Sequence, residues 1–348
     1  MPAKKLALAV IAVLGAALFL FPLVTSMLQK TQGVEHLTGS LRASFEPASL
    51  AQTRKDMDTV QTMSNQLQAQ TLPALPGALG MTPDQFQSYM GENFPEVAYG
   101  VSQLDTILPK FQALVTGLET QAPNFHSADQ IPTGFVPSTT VPFLFLIPGA
   151  TLFMLAGGAL IVGGGNNRAG LVRATLLISA MVGAVFIIAP LVLSVPQKTQ
   201  AVDDLTTSFA TVFTDDGAAA VRVDMNVIQE LSDQLQGQML PALAAALKMD
   251  PTQFHNFMAQ NFPSVSTGVD QLNTILPRFQ GLVSGIEQNV GSFQLAASIP
   301  TAHEAAATLS WWFFVPGSFV IFAGAIGLAV RQPSAPQVRP REGTLVTS

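Results

Sequence analysis

NFPEVAYGVSQLDTILPKFQ, residues 93–112, and NFPSVSTGVDQLNTILPRFQ, residues 261–280, agree at fourteen of twenty positions. The offset of 168 residues holds outward from this stretch. Gln29-Lys-Thr-Gln32 recurs as Gln197-Lys-Thr-Gln200, Pro22 falls on Pro190, and Pro148-Gly149 falls on Pro316-Gly317. Self-similarity at one fixed long period is the mark of a structural unit used more than once. Within the stretch, Val97, Val101, Leu104, Leu108, Phe111, Val115 and Leu118 advance in alternating steps of four and three. Val265, Val269, Leu272, Leu276, Phe279, Val283 and Ile286 keep every position. Such spacing places one apolar seam on one helix face over about three heptads. Pro109 and Pro277 interrupt it, and each predicts a kink, because proline lacks the amide donor and clashes with the preceding turn.

Upstream of the seam, Met57, Val60, Met63 and Leu67 mark an earlier helix, matched by Met225, Ile228, Leu231 and Leu235. The prolines predict its end before Leu72-Pro73 and before Leu240-Pro241. A short helix then starts at Thr82-Pro-Asp-Gln85, with Thr82 as N-cap, Pro83 as first helical residue and Gln85 as the reciprocal capping partner. Asp250-Pro-Thr-Gln253 repeats that logic, and Asn-Phe-Pro closes the short helix in both units. No alternating β pattern of useful length occurs.

Outside these segments the chain is apolar. Residues 6–28, 141–162, 174–195 and 311–330 contain no Asp, Glu, Lys, Arg or His. A bilayer core about 30 Å thick requires roughly 20 apolar helical residues, so each run is long enough to span. These runs account for a charged fraction of only 11%, against roughly 25% in a typical soluble domain. The first run is too long for a signal core, and its partner is internal, so it reads as an anchor. The fold class expected is an all-α membrane protein of four transmembrane helices. It arises from a tandem span–helical ectodomain–span unit, giving parallel repeats about a pseudo-twofold axis along the membrane normal.

The boundaries that follow are 1–28 for the N-terminus and first span, 29–140 for helical domain 1, and 141–162 for the second span. A loop at 163–173, the third span at 174–195, helical domain 2 at 196–310, the fourth span at 311–330 and a disordered tail at 331–348 complete the chain. Lys4, Lys5, Arg168, Arg173, Arg331, Arg339 and Arg341 flank the spans on one side. By the positive-inside rule that side is cytoplasmic and holds both termini. Residues 29–140 carry five Lys or Arg against ten Asp or Glu, and residues 197–308 carry four against eleven, together −12 on the outer side. Trp311 and Trp312 fall where the fourth span meets the interface, as membrane anchors do. Lys30 and Lys198, just past the first and third spans, read as lysines reaching lipid headgroups.

The chemistry-bearing residues do not converge. Cysteine is absent, and His36, His126, His255 and His303 each face a different residue type at the offset of 168. No spacing fits a zinc or calcium site, and Gly163-Gly-Gly165 lacks the ending of a phosphate loop. Asp56 and Asp224, each two residues after an arginine, read as a solvated helix face. No catalytic residue, metal or cofactor is therefore expected, and the acidic domains disfavour nucleic acid. Uncharged spans argue against ion conduction through these four helices. Ala12 and Ala16, with Ser179 and Gly183, are small-residue pairs that favour packing within one chain over a homo-oligomer.

The function expected is a non-catalytic, multi-pass plasma-membrane protein of the cell envelope. Its extracytoplasmic helical domains would bind or scaffold partner proteins, as an accessory subunit does, in contact with membrane lipids. The alternative is a lipid or hydrophobic-ligand protein with a groove between the two domains, walled by Phe94, Tyr99, Phe111, Phe262 and Phe279. Alanine richness, nine Arg against seven Lys and missing cysteine point to a bacterium.

Overall fold

The computed structural model of the protein describes residues 2–162, 169–302 and 304–330. The glycine run at 163–165, His303 and the tail from residue 331 lie outside the described residues. In chain order the helices are α1 (Pro2–Val24), α2 (Met27–Leu41), α3 (Pro47–Gln66), α4 (Leu72–Leu79), α5 (Pro83–Asn93), α6 (Pro95–Asp129), α7 (Phe143–Val162), α8 (Ala169–Val192), α9 (Val195–Phe209), α10 (Asp215–Gln234), α11 (Leu240–Ala246), α12 (Pro251–Asn261), α13 (Pro263–Ala297) and α14 (Leu309–Ala329). Among the described residues there is no β-strand, only an isolated bridge between Thr133 and Val136. Four helices, α1, α7, α8 and α14, are long and apolar enough to cross a membrane. Contacts divide the chain into two units. Among the described residues, one contains α1, α7, α8 and α14, and the other contains α2 to α6 and α9 to α13.

In the first unit, small residues let helix backbones meet. A Cβ on Gly15 of α1 would lie 2.6 Å from the Phe153 amide nitrogen of α7, and one on Gly149 would lie 2.6 Å from that of Phe19. Gly183 of α8 meets Gly317 of α14 in the same manner, its Cβ position 2.8 Å from the Gly317 carbonyl oxygen. Gly149 and Gly317 are therefore points of close approach as well as companions of a proline. Phe145 is fully buried, with its ring centroid 4.3 Å from Phe313 and 5.4 Å from Phe21. The first apolar run ends earlier than residue 28. Helix α1 stops at Val24, Ser26 takes a left-handed φ of 52°, and α2 begins at Met27. Ser194, at φ 55°, makes the same break between α8 and α9. Hydropathy does not register a backbone break inside an apolar run, so it joined Met27 and Leu28 to the span.

The second unit is a bundle in which α3, α6, α10 and α13 pack together. The capping boxes expected at Thr82 and Asp250 are both present, with Gln85 N 3.3 Å from Thr82 Oγ1 and Gln253 N 2.9 Å from Asp250 Oδ1. The seam is buried as its spacing requires, with Val97 and Val115 fully inaccessible and only Val101 and Val269 partly exposed. The stop expected before Leu72-Pro73 does not occur. Helix α3 runs into α4 through one π-helical turn at Leu67–Thr71, where the Leu72 amide bonds the Leu67 carbonyl five residues back. Leu235–Met239 joins α10 to α11 identically. Pro73 and Pro241 then fall in the first turn of α4 and of α11, where a proline is tolerated. Helices α6 and α13, each 35 residues and therefore roughly 50 Å long, continue through Pro109 and Pro277. One lost hydrogen bond is outweighed there by the buried seam.

The segments expected as two domains form this one unit, with helices exchanged between them. Helix α2 lies chiefly along α13, and α9 lies along α6. Gly33 permits the first approach, since a Cβ there would sit 2.6 Å from Leu295 Cβ. Both segments carry the same apolar seam, so a face from either segment satisfies the other.

Candidate functional site

The polar residues that recur at the offset of 168 join the first segment to the second. Gln66 Oε1 accepts from the Ser264 and Val265 amides at 2.7 and 3.0 Å, capping the start of α13, and Gln234 Oε1 accepts from the Val97 amide at 3.0 Å, capping α6. Asp56 is not on a solvated face. Its side chain is 3% exposed, and both carboxylate oxygens accept from Arg278 Nη1, at 3.0 and 2.7 Å. Asp224 accepts from Lys110 Nζ at 2.8 Å. Arg54, two residues before Asp56, donates from Nε to Glu119 at 3.0 Å, and Arg222 donates to Glu287 at 2.8 Å. The hydrogen bond from each arginine holds its glutamate below the usual carboxyl value.

Lys30 and Lys198 have protein partners. Lys30 Nζ donates to the Ser298 and Pro300 carbonyls, both at 2.8 Å, and Lys198 Nζ donates to those of Gln130 and Pro132, both at 2.9 Å. Partial burial pushes both ammonium groups below the usual lysine value. Each lysine thus ties the helix after α1 or α8 to the turn that ends the long helix of the other segment. Replacing Lys30 with Met should lower stability by about 1–3 kcal/mol, because two carbonyls lose their donor. Denaturant unfolding in nanodiscs of anionic and of zwitterionic lipid checks this. A loss confined to anionic lipid would restore the headgroup reading.

Of the groove residues expected, Phe94, Phe111 and Phe279 are buried core side chains, and Phe262 is half-buried. Phe111 and Phe279 meet edge to face at 5.8 Å. With Met57, Val60, Leu108, Met225, Ile228 and Leu276 they enclose a void of ≈ 20 Å³. Phe94 and Phe262 pack on Tyr89 and Phe257 at 5.7 and 6.2 Å. Tyr99 is 54% exposed and joins none of these contacts. A cleft of ≈ 410 Å³ does open between the two segments. Gly117 and Leu114 of α6 face Phe209, Val212 and Val221, and the Lys110–Asp224 pair lies at its edge. Phe111 borders it.

A larger groove, ≈ 490 Å³, lies within the second segment between α11, α12 and α13. Leu240, Ala244, Met249, Phe254, Met258 and Val269 line it. His255 and Asp270 stand at its polar side, with Nδ1 and Oδ1 3.9 Å apart. Sequence reasoning missed it, because His255 was set aside for lacking a matching histidine. The signal was that mismatch itself, together with Ser102 standing where the second segment has Asp270.

His36 Nδ1 lies 3.3 Å from Asn289 Oδ1 and 3.2 Å from Ser292 Oγ, a tie between α2 and α13. His126 lies edge-on to Phe125 at 6.2 Å. Among the described residues no three His, Cys, Asp or Glu side chains gather as a metal site. Trp312 stacks on Phe21 at 4.0 Å, while Trp311 is 65% exposed. No protein-family model matches the chain, and it has no significant match among curated proteins or solved structures.

Proposed function

We propose that the protein is a non-catalytic, multi-pass envelope protein whose helical body binds or scaffolds partner proteins outside the plasma membrane, as an accessory subunit does. In this reading the chain is a tandem duplication of a span–helical segment–span unit with a pseudo-twofold axis along the membrane normal. Both termini are cytoplasmic. The observation that supports it is the exchange of helices within the body. Lys30, Gln66 and Asp56 of the first copy bind the second, and Lys198, Gln234 and Asp224 bind the first. A body closed in this way is a rigid platform, and rigid platforms present partner surfaces with little ordering cost.

Crosslinking in native membranes followed by mild solubilisation should recover stoichiometric protein partners. Recovery of the protein alone defeats the reading. The topology has its own check, since native cysteine is absent. A cysteine at the exposed Thr120 should react with an impermeant maleimide on intact cells, and one at Ser348 should not. The cleft beside Phe111 favours a second reading, a lipid held between the copies. Native mass spectrometry showing no bound lipid would remove it.

A further inference from the structure

We propose that the groove between α11, α12 and α13 is a binding site for a cationic amphiphile, an apolar body carrying one ammonium group. Its volume of ≈ 490 Å³ falls in the range of about 300–1,000 Å³ usual for small-ligand sites, which are mostly apolar with a few placed polar groups. The wall is organised before any ligand arrives. Gln236, at one side, donates to Ser232 Oγ at 3.0 Å and accepts from Asn273 Nδ2 at 3.2 Å. Leu240, Met249, Phe254 and Met258 supply the apolar surface.

The charge of the ligand follows from Asp270. Its carboxylate makes no hydrogen bond among the described residues, and His255 Nδ1 at 3.9 Å is beyond hydrogen-bond distance. Asp270 is 57% exposed and pairs with no lysine or arginine among the described residues, whereas Asp56 and Asp224 pair with Arg278 and Lys110. A carboxylate beside an apolar groove, on a body with a net −12 over 29–140 and 197–308, attracts cations and repels anions. The first copy has Ser102 and Gln87 in place of Asp270 and His255, so the recognition element belongs to the second copy alone. The site lies apart from the cleft beside Phe111, and it stands whether or not a protein partner binds.

Hydrogen exchange of the full chain in zwitterionic nanodiscs tests this, with 4-phenylbutylammonium, 4-phenylbutanol and 4-phenylbutyrate as probes. The ammonium should slow exchange over residues 240–270 at about fivefold lower concentration than the alcohol, and the carboxylate should be weakest. Asp270→Asn should bring the ammonium to the concentration of the alcohol. Ala245→Trp, which fills the groove from its exposed wall, should abolish protection by both. Exchange in α3 and α10 reports whether each variant keeps its fold, and Asp270→Asn, at an exposed position, keeps the test open if Ala245→Trp does not. Equal potency of ammonium and alcohol in the native protein, protection surviving in a folded Ala245→Trp variant, or protection beside Phe111 instead overturns the proposal.

Discussion

Gly268→Ala will destabilise the helical body, while Gly281→Ala, thirteen residues further along the same helix, will stabilise it. A methyl on Gly268 would lie 2.5 Å from Met63 Sδ and 2.7 Å from Met63 Cβ, whereas one on Gly281 meets nothing within 4 Å. The thioether can swing away, but Met63 Cβ is fixed to the backbone of α3. Overpacking of this kind costs about 1–3 kcal/mol, set against a helix gain of about 1 kcal/mol for Gly to Ala. Gly281 receives only the gain. Gly100 repeats the geometry on α6, where a Cβ would sit 2.6 Å from Leu231 Cβ. Gly100→Leu, with three more carbons to place, should therefore cost about 3 kcal/mol or more. Denaturant midpoints of the purified protein decide the matter. Stabilisation by both Ala variants would mean that the first segment does not press on α13.

The two matched ion pairs will prove unequal. Asp56→Ala should cost about 2–3 kcal/mol, since it removes a buried carboxylate that accepts from Arg278 and, at 2.6 Å, from Gln52. Arg278 is 44% exposed and recovers hydration, which keeps the loss below that of a fully buried pair. Asp224→Ala should cost no more than about 1 kcal/mol, because Asp224 is 15% and Lys110 54% exposed. In a double-mutant cycle, Asp56→Ala with Arg278→Ala should lose less than the sum of the single losses. Equal single losses, or strict additivity, would show that Asp56 is no tie between the two segments.

The helix starts were legible at single-residue precision because a cap is local. Thr82 and Gln85, or Asp250 and Gln253, satisfy each other's backbone within one turn. Burial of the seam was legible too, since period alone selects a face. The site was less so. Phe94, Phe111 and Phe279 are aromatic residues at core spacing, and a core and a ligand wall share that pattern. Lys30 and Lys198 sit where lysines reach headgroups, but their carbonyl partners lie some 270 and 70 residues away. Asp56 looked solvated because its partner is 222 residues distant. The groove at Asp270 is a space between three helices, and a space has no sequence signal beyond the residues that border it.

The sequence by itself determined four apolar helices long enough to span a membrane, an all-helical remainder, the capped helix starts and the buried faces. Each of these follows from composition or from interactions within a few turns of chain. Only the tertiary structure decided which buried face meets which. The seams 97–118 and 265–286 are nearly the same surface, so pairing within a segment and pairing across segments satisfy the apolar pattern equally. What separates them is detail that pattern does not carry: a glycine where Leu231 or Met63 must fit, a glutamine positioned to cap the other segment's helix, and an arginine long enough to reach a buried Asp56.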